Sequence, residues 1–279
     1  MKIFLTGGTG FIGSNFLNSA HRSGYEVIAL RMKGSVPRVK LEKEPIWVEG
    51  RLDENFSKIM IGCDVLVHFA AHSANPPYDS IENCLYWNLT ATLQLFNQAE
   101  NSGIKKFIIA GSCFEYGLSG EDYEFIPTSA PLKPTNSYAA SKAALSTALY
   151  SWTLDKKVEV QILRIFQVFG DGELDNRLWP SLKRSALKGE NYSMTKGEQI
   201  RDFIHVDEVV KKFLNALKFK KTKKGFLRVI NIGKGDPLTV VDFAKLWWNK
   251  WEAEGKLEVG VISYRENEIM RFVPEVDNK

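Results

Sequence analysis

An apolar run, Lys2–Thr6, leads straight into Thr6-Gly7-Gly8-Thr9-Gly10-Phe11-Ile12-Gly13, and a helix pattern follows from Phe11 to about Ser23. No other stretch of the chain leaves so few folds open. A strand that ends in glycines and turns at once into a helix aims the free N–H groups of that helix at the turn. The result is an anion site suited to a pyrophosphate. Gly7, Gly10 and Gly13 recur at every third position, so the turn can be tight and its backbone can approach a phosphate closely. A lone glycine motif says little; the strand, turn and helix around it give this one its force.

The first half of the chain keeps the same rhythm. Strand patterns at Tyr25–Leu30, Asp64–Phe69, Lys106–Ala110 and Val158–Leu163 alternate with helical periodicity over Ser80–Ser102 and around Tyr138. Such alternation implies parallel crossovers and a doubly wound sheet. From about Gly170 longer loops set in, Gly170–Arg177 and Gly189–Ile200. They separate a helix at Asp207–Ala216, a strand at Arg228–Ile232 and a tryptophan-rich helix near Thr239–Trp251. The expected fold is α/β: a Rossmann-type doubly wound parallel sheet over residues 1–168, with a smaller C-terminal substrate-binding lobe over 169–279 that is partly interleaved with it. Trp247, Trp248 and Trp251 cover a broad helix face and read as core.

Composition narrows the function classes. With 44% hydrophobic and 25% charged residues over 279 positions, the chain is an ordinary globular protein of one large or two modest domains. No apolar run approaches the roughly 20 residues of a membrane span, and Met1-Lys2 passes directly into a strand pattern, so neither a membrane nor a signal peptide is expected. Cys63, Cys84 and Cys113 are odd in number and scattered, and read as reduced thiols of a cytoplasmic protein. His21, His68, His72 and His205 show no ligand spacing, and no metal is expected. The net charge of +4 is modest. Its one dense run, Lys218–Lys224 with five lysines, closes a helix pattern and keeps a loop solvated. That run lacks a binding motif of interleaved arginines and aromatics, so no nucleic-acid partner is expected.

A second short pattern carries chemistry. In Asn136-Ser137-Tyr138-Ala139-Ala140-Ser141-Lys142 the phenol and the ammonium stand four apart in alanine-rich helix sequence and share a face. A free tyrosine, with a pKa of about 10, is a poor acid–base group near neutrality; an ammonium beside it favours the phenolate. Taken alone, the pair is most simply a surface tyrosine and lysine.

It does not stand alone. His68-Phe69-Ala70-Ala71, Gly111-Ser112-Cys113-Phe114-Glu115-Tyr116-Gly117 and Arg201-Asp202-Phe203-Ile204-His205-Val206-Asp207 accompany it in order. With these, the sequence resembles the extended short-chain dehydrogenase/reductase superfamily over nearly its whole length, specifically the NAD(P)-dependent nucleotide-sugar epimerase/dehydratase family. The resemblance implies a catalytic triad at Ser112, Tyr138 and Lys142. Tyr138 is the acid–base group at the sugar, Lys142 binds the nicotinamide ribose and lowers the phenol pKa, and Ser112 hydrogen-bonds the reacting oxygen. Cofactor contacts fall on Gly7, Thr9, Gly10, Phe11, Ile12 and Gly13, and on Ala70 and Ala71. Substrate contacts fall on Cys113, Phe114, Gln167, Arg201 and Arg265, the arginines facing a diphosphate. Asp202 and His205 brace the lobe. A strand precedes Ser112, so its hydroxyl would emerge at the carboxyl edge of the sheet, although a serine there could equally be a strand cap. The resemblance also implies a nucleotide-sugar substrate and a homodimer formed through the Ser80–Ser102 and Tyr138 helices.

Departures from the family pattern sharpen the expectation. NAD enzymes carry an acidic residue about 20 positions beyond the glycines, to accept hydrogen bonds from the adenosine ribose. Arg31 stands at that distance from Gly10, with Lys33 close by. Arginine accepts no hydrogen bond but pairs well with a 2′-phosphate, which favours NADP(H) over NAD(H); a solvated arginine is the alternative. Arg51 stands where many relatives carry Asp near the adenine. Cys113 and Phe114 replace the Asp-Glu pair with which 4,6-dehydratases of the family eliminate water, which disfavours that reaction. Gln167 stands where relatives usually have Asn.

Gly170-Asp171-Gly172-Glu173, Lys196–Phe203 and Arg265-Glu266-Asn267-Glu268-Ile269-Met270 look like CDP-abequose synthase-type 4-ketosugar reductases. The chain stops at Asp277-Asn278-Lys279, where relatives usually continue through a further helix. The expected activity is NADPH-dependent reduction of a nucleotide-linked 4-keto-6-deoxysugar. A nucleotide-sugar 4-epimerase with retained NAD is the alternative, and a dinucleotide-sensing or RNA-binding relative without catalysis a third.

Overall fold

The strand patterns of the first half assemble into the centre of one parallel sheet in the computed structural model, which describes residues 1–265 and 268–276. Of the stretches singled out above, Glu266-Asn267 and Asp277-Asn278-Lys279 lie outside the described residues. The first half runs β1 (Lys2–Thr6), α1 (Phe11–Arg22), β2 (Glu26–Arg31), β3 (Ile46–Glu49), α2 (Ser57–Met60), β4 (Val65–His68), α3 (Ile81–Leu85), α4 (Thr92–Asn101), β5 (Lys106–Ser112), α5 (Ser137–Lys156) and β6 (Glu159–Ile165). The second half runs β7 (Gln167–Phe169), α6 (Leu178–Lys188), β8 (Tyr192–Met194), β9 (Ile200–His205), α7 (Val206–Ala216), β10 (Leu227–Ile232), β11 (Pro237–Thr239), α8 (Val240–Lys250), β12 (Leu257–Val259) and β13 (Arg271–Phe272).

Seven strands pair in the order β10-β6-β5-β4-β1-β2-β3, all parallel. Alternate residues of β1 go to opposite faces: Ile3 and Leu5 pack with Phe16, Leu17 and Phe213 on one side, and Phe4 with Leu66, Leu95 and Phe96 on the other. Both faces are covered, as a parallel sheet requires. The order reverses between β1 and β4, so the carboxyl ends of β1, β4 and β5 open a crevice there, where ligands of such sheets bind.

Sequence order and layer part company in the second half. The helix at 206–216 and the strand at 227–232, which the loop rhythm groups with the lobe, belong to the central layer. Strand β10 pairs with β6 along its length, and Val209, Val210 and Phe213 of α7 bury in the core beside α1. The lobe itself is a small sheet of β7, β9, β11 and β13, a β8–β12 pair, and the helices α6 and α8. Trp247, Trp248 and Trp251 pack there with Trp179, Phe243 and Leu182, in the core role expected of them.

Two local differences have physical causes. The helix expected over Ser80–Ser102 is interrupted by a π-helical turn at Tyr86–Ala91 between α3 and α4. The extra residue of that turn brings Asn88 to bear on the loop after β4: its Oδ1 accepts from His72 N–H at 2.7 Å, and its Nδ2 donates to His72 O and Ser141 Oγ. Strand β5 runs on through Ser112, past the end set by its apolar run, because Gly111 and Ser112 stay in register with Arg164 and Ile165 of β6.

Candidate active site

The crevice continues into a cavity of about 1250 Å³. Its floor is main chain. Gly7 has φ +73°, and a Cβ on it would lie 2.5 Å from Ala70 N; one on Gly13 would lie 2.1 Å from Gly7 O. Side chains at either position would push turn, helix and β4 apart. Gly10 caps α1 with no side-chain hydrogen bond, so the first N–H groups of the helix stay available to an anion. Thr9, Phe11 and Ile12 line the same wall, with Ala70 and Ala71 opposite. This cradle, too tight for a Cβ and rich in free donors, fits the pyrophosphate of a dinucleotide.

At the end of the cavity beside β2 and β3 Arg31 lines the wall, with its guanidinium 4.9 Å from the Trp47 ring centre and Nη2 donating to Glu49 Oε1 at 3.1 Å. Arg38 and Ser35 line the wall nearby, and Arg51 lies 4.6 Å over the Trp87 ring. Lys33, in the exposed turn after β2, is not part of the lining.

At the other end the sheet and α5 bring together Ser112, Tyr138 and Lys142, all three buried and all lining the cavity. Asn136 caps α5 by accepting from Ala139 N–H at 2.9 Å, which starts the helix at Ser137, one residue before Tyr138. The phenol lies well above its ordinary pKa because of its burial. The Ser112 hydroxyl pulls it down, while Glu115, Cys113 and Tyr78 push it further up. The net direction is opposite to that expected from a neighbouring ammonium. Lys142 is itself pushed down by burial, against the pull of Glu115, so both groups resist charging. His68, at the end of β4, is held neutral at a pKa of about 3 by burial and by Lys142, and its Nδ1 shares a 2.8 Å hydrogen bond with Thr6 Oγ1.

Cys113, Phe114 and Gln167 line both the main cavity and a side cavity of about 50 Å³ beneath it, which also takes in Arg201 and Ile269. Arg201 is tied to the lobe: it donates to Glu268 Oε1 at 2.8 Å and to Ile269 O at 2.6 Å. Burial pushes the Cys113 thiol up to about 12, so it is a neutral wall rather than a nucleophile. Arg265 is exposed; burial raises the Tyr78 phenol, and Arg177 and then Arg265 oppose that rise. Asp202 accepts from the main-chain N–H groups of Lys234, Gly235 and Asp236, a bracing role.

Other residues at the site escape a reading by pattern. Tyr78 stacks on Tyr138, with centroids 6.3 Å apart and planes within 6°. Arg177 and Glu173, from the loop after β7, line the lobe side of the cavity, and burial pushes the Glu173 carboxyl up to about 7 against the pull of Arg177. Arg38, Tyr78 and Arg177 sit in loops that carry no periodic signal. Glu115 did have one: Ser112-Cys113-Phe114-Glu115 has the spacing of a capping box, and that box is formed.

A glycine-floored dinucleotide cradle at the switch point of a parallel sheet, with a serine, a tyrosine and a lysine at its far end, is the architecture of the short-chain dehydrogenases and reductases. Within them the chain belongs to the NAD dependent epimerase/dehydratase family, whose model matches residues 3–233. The UDP-glucose 4-epimerase of Lactobacillus helveticus is 26% identical over 260 residues, covering 84% of this chain and 76% of the relative. The dTDP-D-glucose 4,6-dehydratase of Mus musculus is 29% identical over 293 residues, covering 97% and 80%. Among solved structures, the UDP-N-acetylglucosamine 4-epimerase of Methanobrevibacter ruminantium, in complex with UDP-N-acetylmuramic acid, superposes with a TM-score of 0.88 at 25% identity, covering 99% of this chain and 90% of that one. No helix among the described residues is long and apolar enough to cross a membrane, and no cluster of metal-ligating side chains is found among them.

Proposed function

We propose that the protein is an NADPH-dependent reductase of a nucleotide-linked 4-keto-6-deoxysugar. The observation that carries this is a phenol whose surroundings keep its proton on, in a cavity whose adenosine wall presents Arg31. A protonated Tyr138 is ready to give its proton to the oxygen of a carbonyl under reduction, and Ser112 to hydrogen-bond that oxygen. The Gly7–Gly13 turn holds the dinucleotide pyrophosphate, and Arg31 with Arg38 supplies the charge for a 2′-phosphate. When bound, the reduced nicotinamide supplies hydride and is left oxidised. Water elimination is not part of the proposal, because the buried thiol of Cys113 and the ring of Phe114 cannot act as a carboxylate pair.

A second reading is a nucleotide-sugar 4-epimerase with retained NAD, favoured by the similarity to two epimerases and by Glu49, an acidic group that already occupies Arg31. Either activity is proposed for a cytoplasmic homodimer that uses α3, α4 and α5; a solution mass of one chain would remove the dimer.

The test follows reduced-nicotinamide absorbance with NADPH or NADH and a panel of CDP-, dTDP- and UDP-linked 4-ketosugars. NADPH consumption with one of them is the expected result. No consumption with any, together with interconversion of ordinary UDP-hexoses, would establish the epimerase instead.

A further inference from the structure

Behind Ser112 lies a charged group that the proposed chemistry does not use. The Glu115 side chain is completely buried and its carboxylate joins three elements. Oε1 accepts from Ser112 N–H at 2.8 Å; Oε2 accepts from Ser146 Oγ at 2.5 Å and from Arg164 Nε at 2.8 Å. Ser146 is four residues beyond Lys142, which is four beyond Tyr138, so all three lie along one face of α5. Arg164, in β6, is held in turn by Thr128 O at 3.2 Å and by the Tyr116 ring at 4.7 Å, and Tyr116 donates to Asn231 at 2.7 Å. A buried ion pair adds little net stability over an apolar pair of the same volume, because desolvation offsets the attraction. Its presence directly beneath the site therefore calls for another role.

We propose that Glu115 is the positioning residue of the Ser112-Tyr138-Lys142 site: it fixes the end of β5 against the catalytic face of α5 and places a buried carboxylate directly behind the three side chains. The proposal rests on the reading of Tyr138 as the acid–base group. The groups around it bear out the sign of the effect. Ser112, Cys113 and Glu115 face the phenol from the end of β5, and Tyr78 faces it from the loop before α3. Lys142, on the same helix, feels Glu115 and in turn bears on His68 of β4. Glu115 acts on both members in the same sense, keeping the proton on the phenol and supporting the ammonium. In that state the site delivers a proton to a developing alkoxide and does not abstract one from an alcohol.

The test is Glu115→Gln, which keeps the shape and removes the charge. Tyrosinate absorption on alkaline titration, with Tyr138→Phe as the blank, needs no sugar substrate. Tyr138 should ionise about one pH unit or more below its wild-type midpoint. In NADPH-driven turnover the alkaline limb should move down by the same amount; a merely structural role would lower the whole profile without moving the limb. An unmoved Tyr138 midpoint in a variant with wild-type near-ultraviolet circular dichroism overturns the proposal. A moved midpoint with no turnover of any 4-ketosugar, in wild type or variant, removes the reductase reading and leaves this one standing.

If Glu115→Gln does not fold, Ser146→Ala keeps the charge and cuts one arm of the support. It should lower kcat by about tenfold, the effect of one hydrogen bond to a charged group, with KM unchanged. Wild-type kcat in Ser146→Ala would overturn the positioning role.

Discussion

The two ends of the cavity are built from different materials. The glycine end is main chain: Gly7, Gly10 and Gly13 fold the turn back on itself, and its donors are N–H groups that any sequence with those glycines would present. The reacting end is side chain: Ser112, Tyr138 and Lys142 are buried together, and the charge states of Tyr138 and Lys142 depend on that burial and on Glu115, which Arg164 holds from the next strand. A backbone site tolerates no added atom but is indifferent to charge. A side-chain site tolerates changes of shape better than changes of charge.

Tyr138→Phe should separate the ends most sharply. Turnover should fall roughly a hundredfold to ten-thousandfold, the range for loss of a general acid, while dinucleotide binding by fluorescence titration stays at the wild-type level. Near-wild-type turnover would show that the phenol is not the proton donor. Gly13→Ala is the converse. Its Cβ would meet Gly7 O at 2.1 Å, so the turn must open, and dinucleotide affinity should fall about tenfold to a hundredfold in a protein that still folds. Unchanged affinity would mean that the cradle does not hold the pyrophosphate.

How far these ends could be read from sequence follows from the same difference. The glycine turn was legible because its cause is local: three glycines, a strand before and a helix after. Tyr138 and Lys142 were legible as a spacing, whereas Ser112, just past an apolar strand pattern, was singled out by the family resemblance. The direction of the phenol's pKa was not, because burial by the whole fold outweighs the one neighbour that the spacing shows. Arg164 bears on Glu115 from 49 residues away, through a β5–β6 register that no local pattern announces. Strand β3 was missed because Ile46–Glu49 is short, half exposed and preceded by Pro45. The destination of β10 was missed because its run of apolar residues is the same whether it joins the lobe or the central sheet.

The smallest effect concerns the neutrality of the reacting end. His68 has its folded pKa lowered from an ordinary 6.5 to about 3, so between those values the unfolded chain binds a proton that the folded one refuses. Stability from this group is fully present above about pH 6.5 and is lost as pH falls towards 3, at up to about 1.4 kcal/mol per pH unit. Denaturant unfolding from pH 7 to pH 5 should show that slope in wild type and a flatter one in His68→Gln. Equal slopes would mean that His68 is not what keeps the floor of the site uncharged.

The late position of β10 has a consequence for how the molecule is made. A ribosome that has released residues 1–168 has produced six of the seven central strands, with β6 as a bare edge and α1 without the cover of α7. Closure waits for Leu227–Ile232, which leave the exit tunnel only after β7, α6, β8 and β9 of the lobe. In that interval the nascent chain carries an unpaired apolar strand, a template for joining a neighbour on the same message. The lobe segments that lie between β6 and β10 thus set the time over which the newborn protein must be shielded.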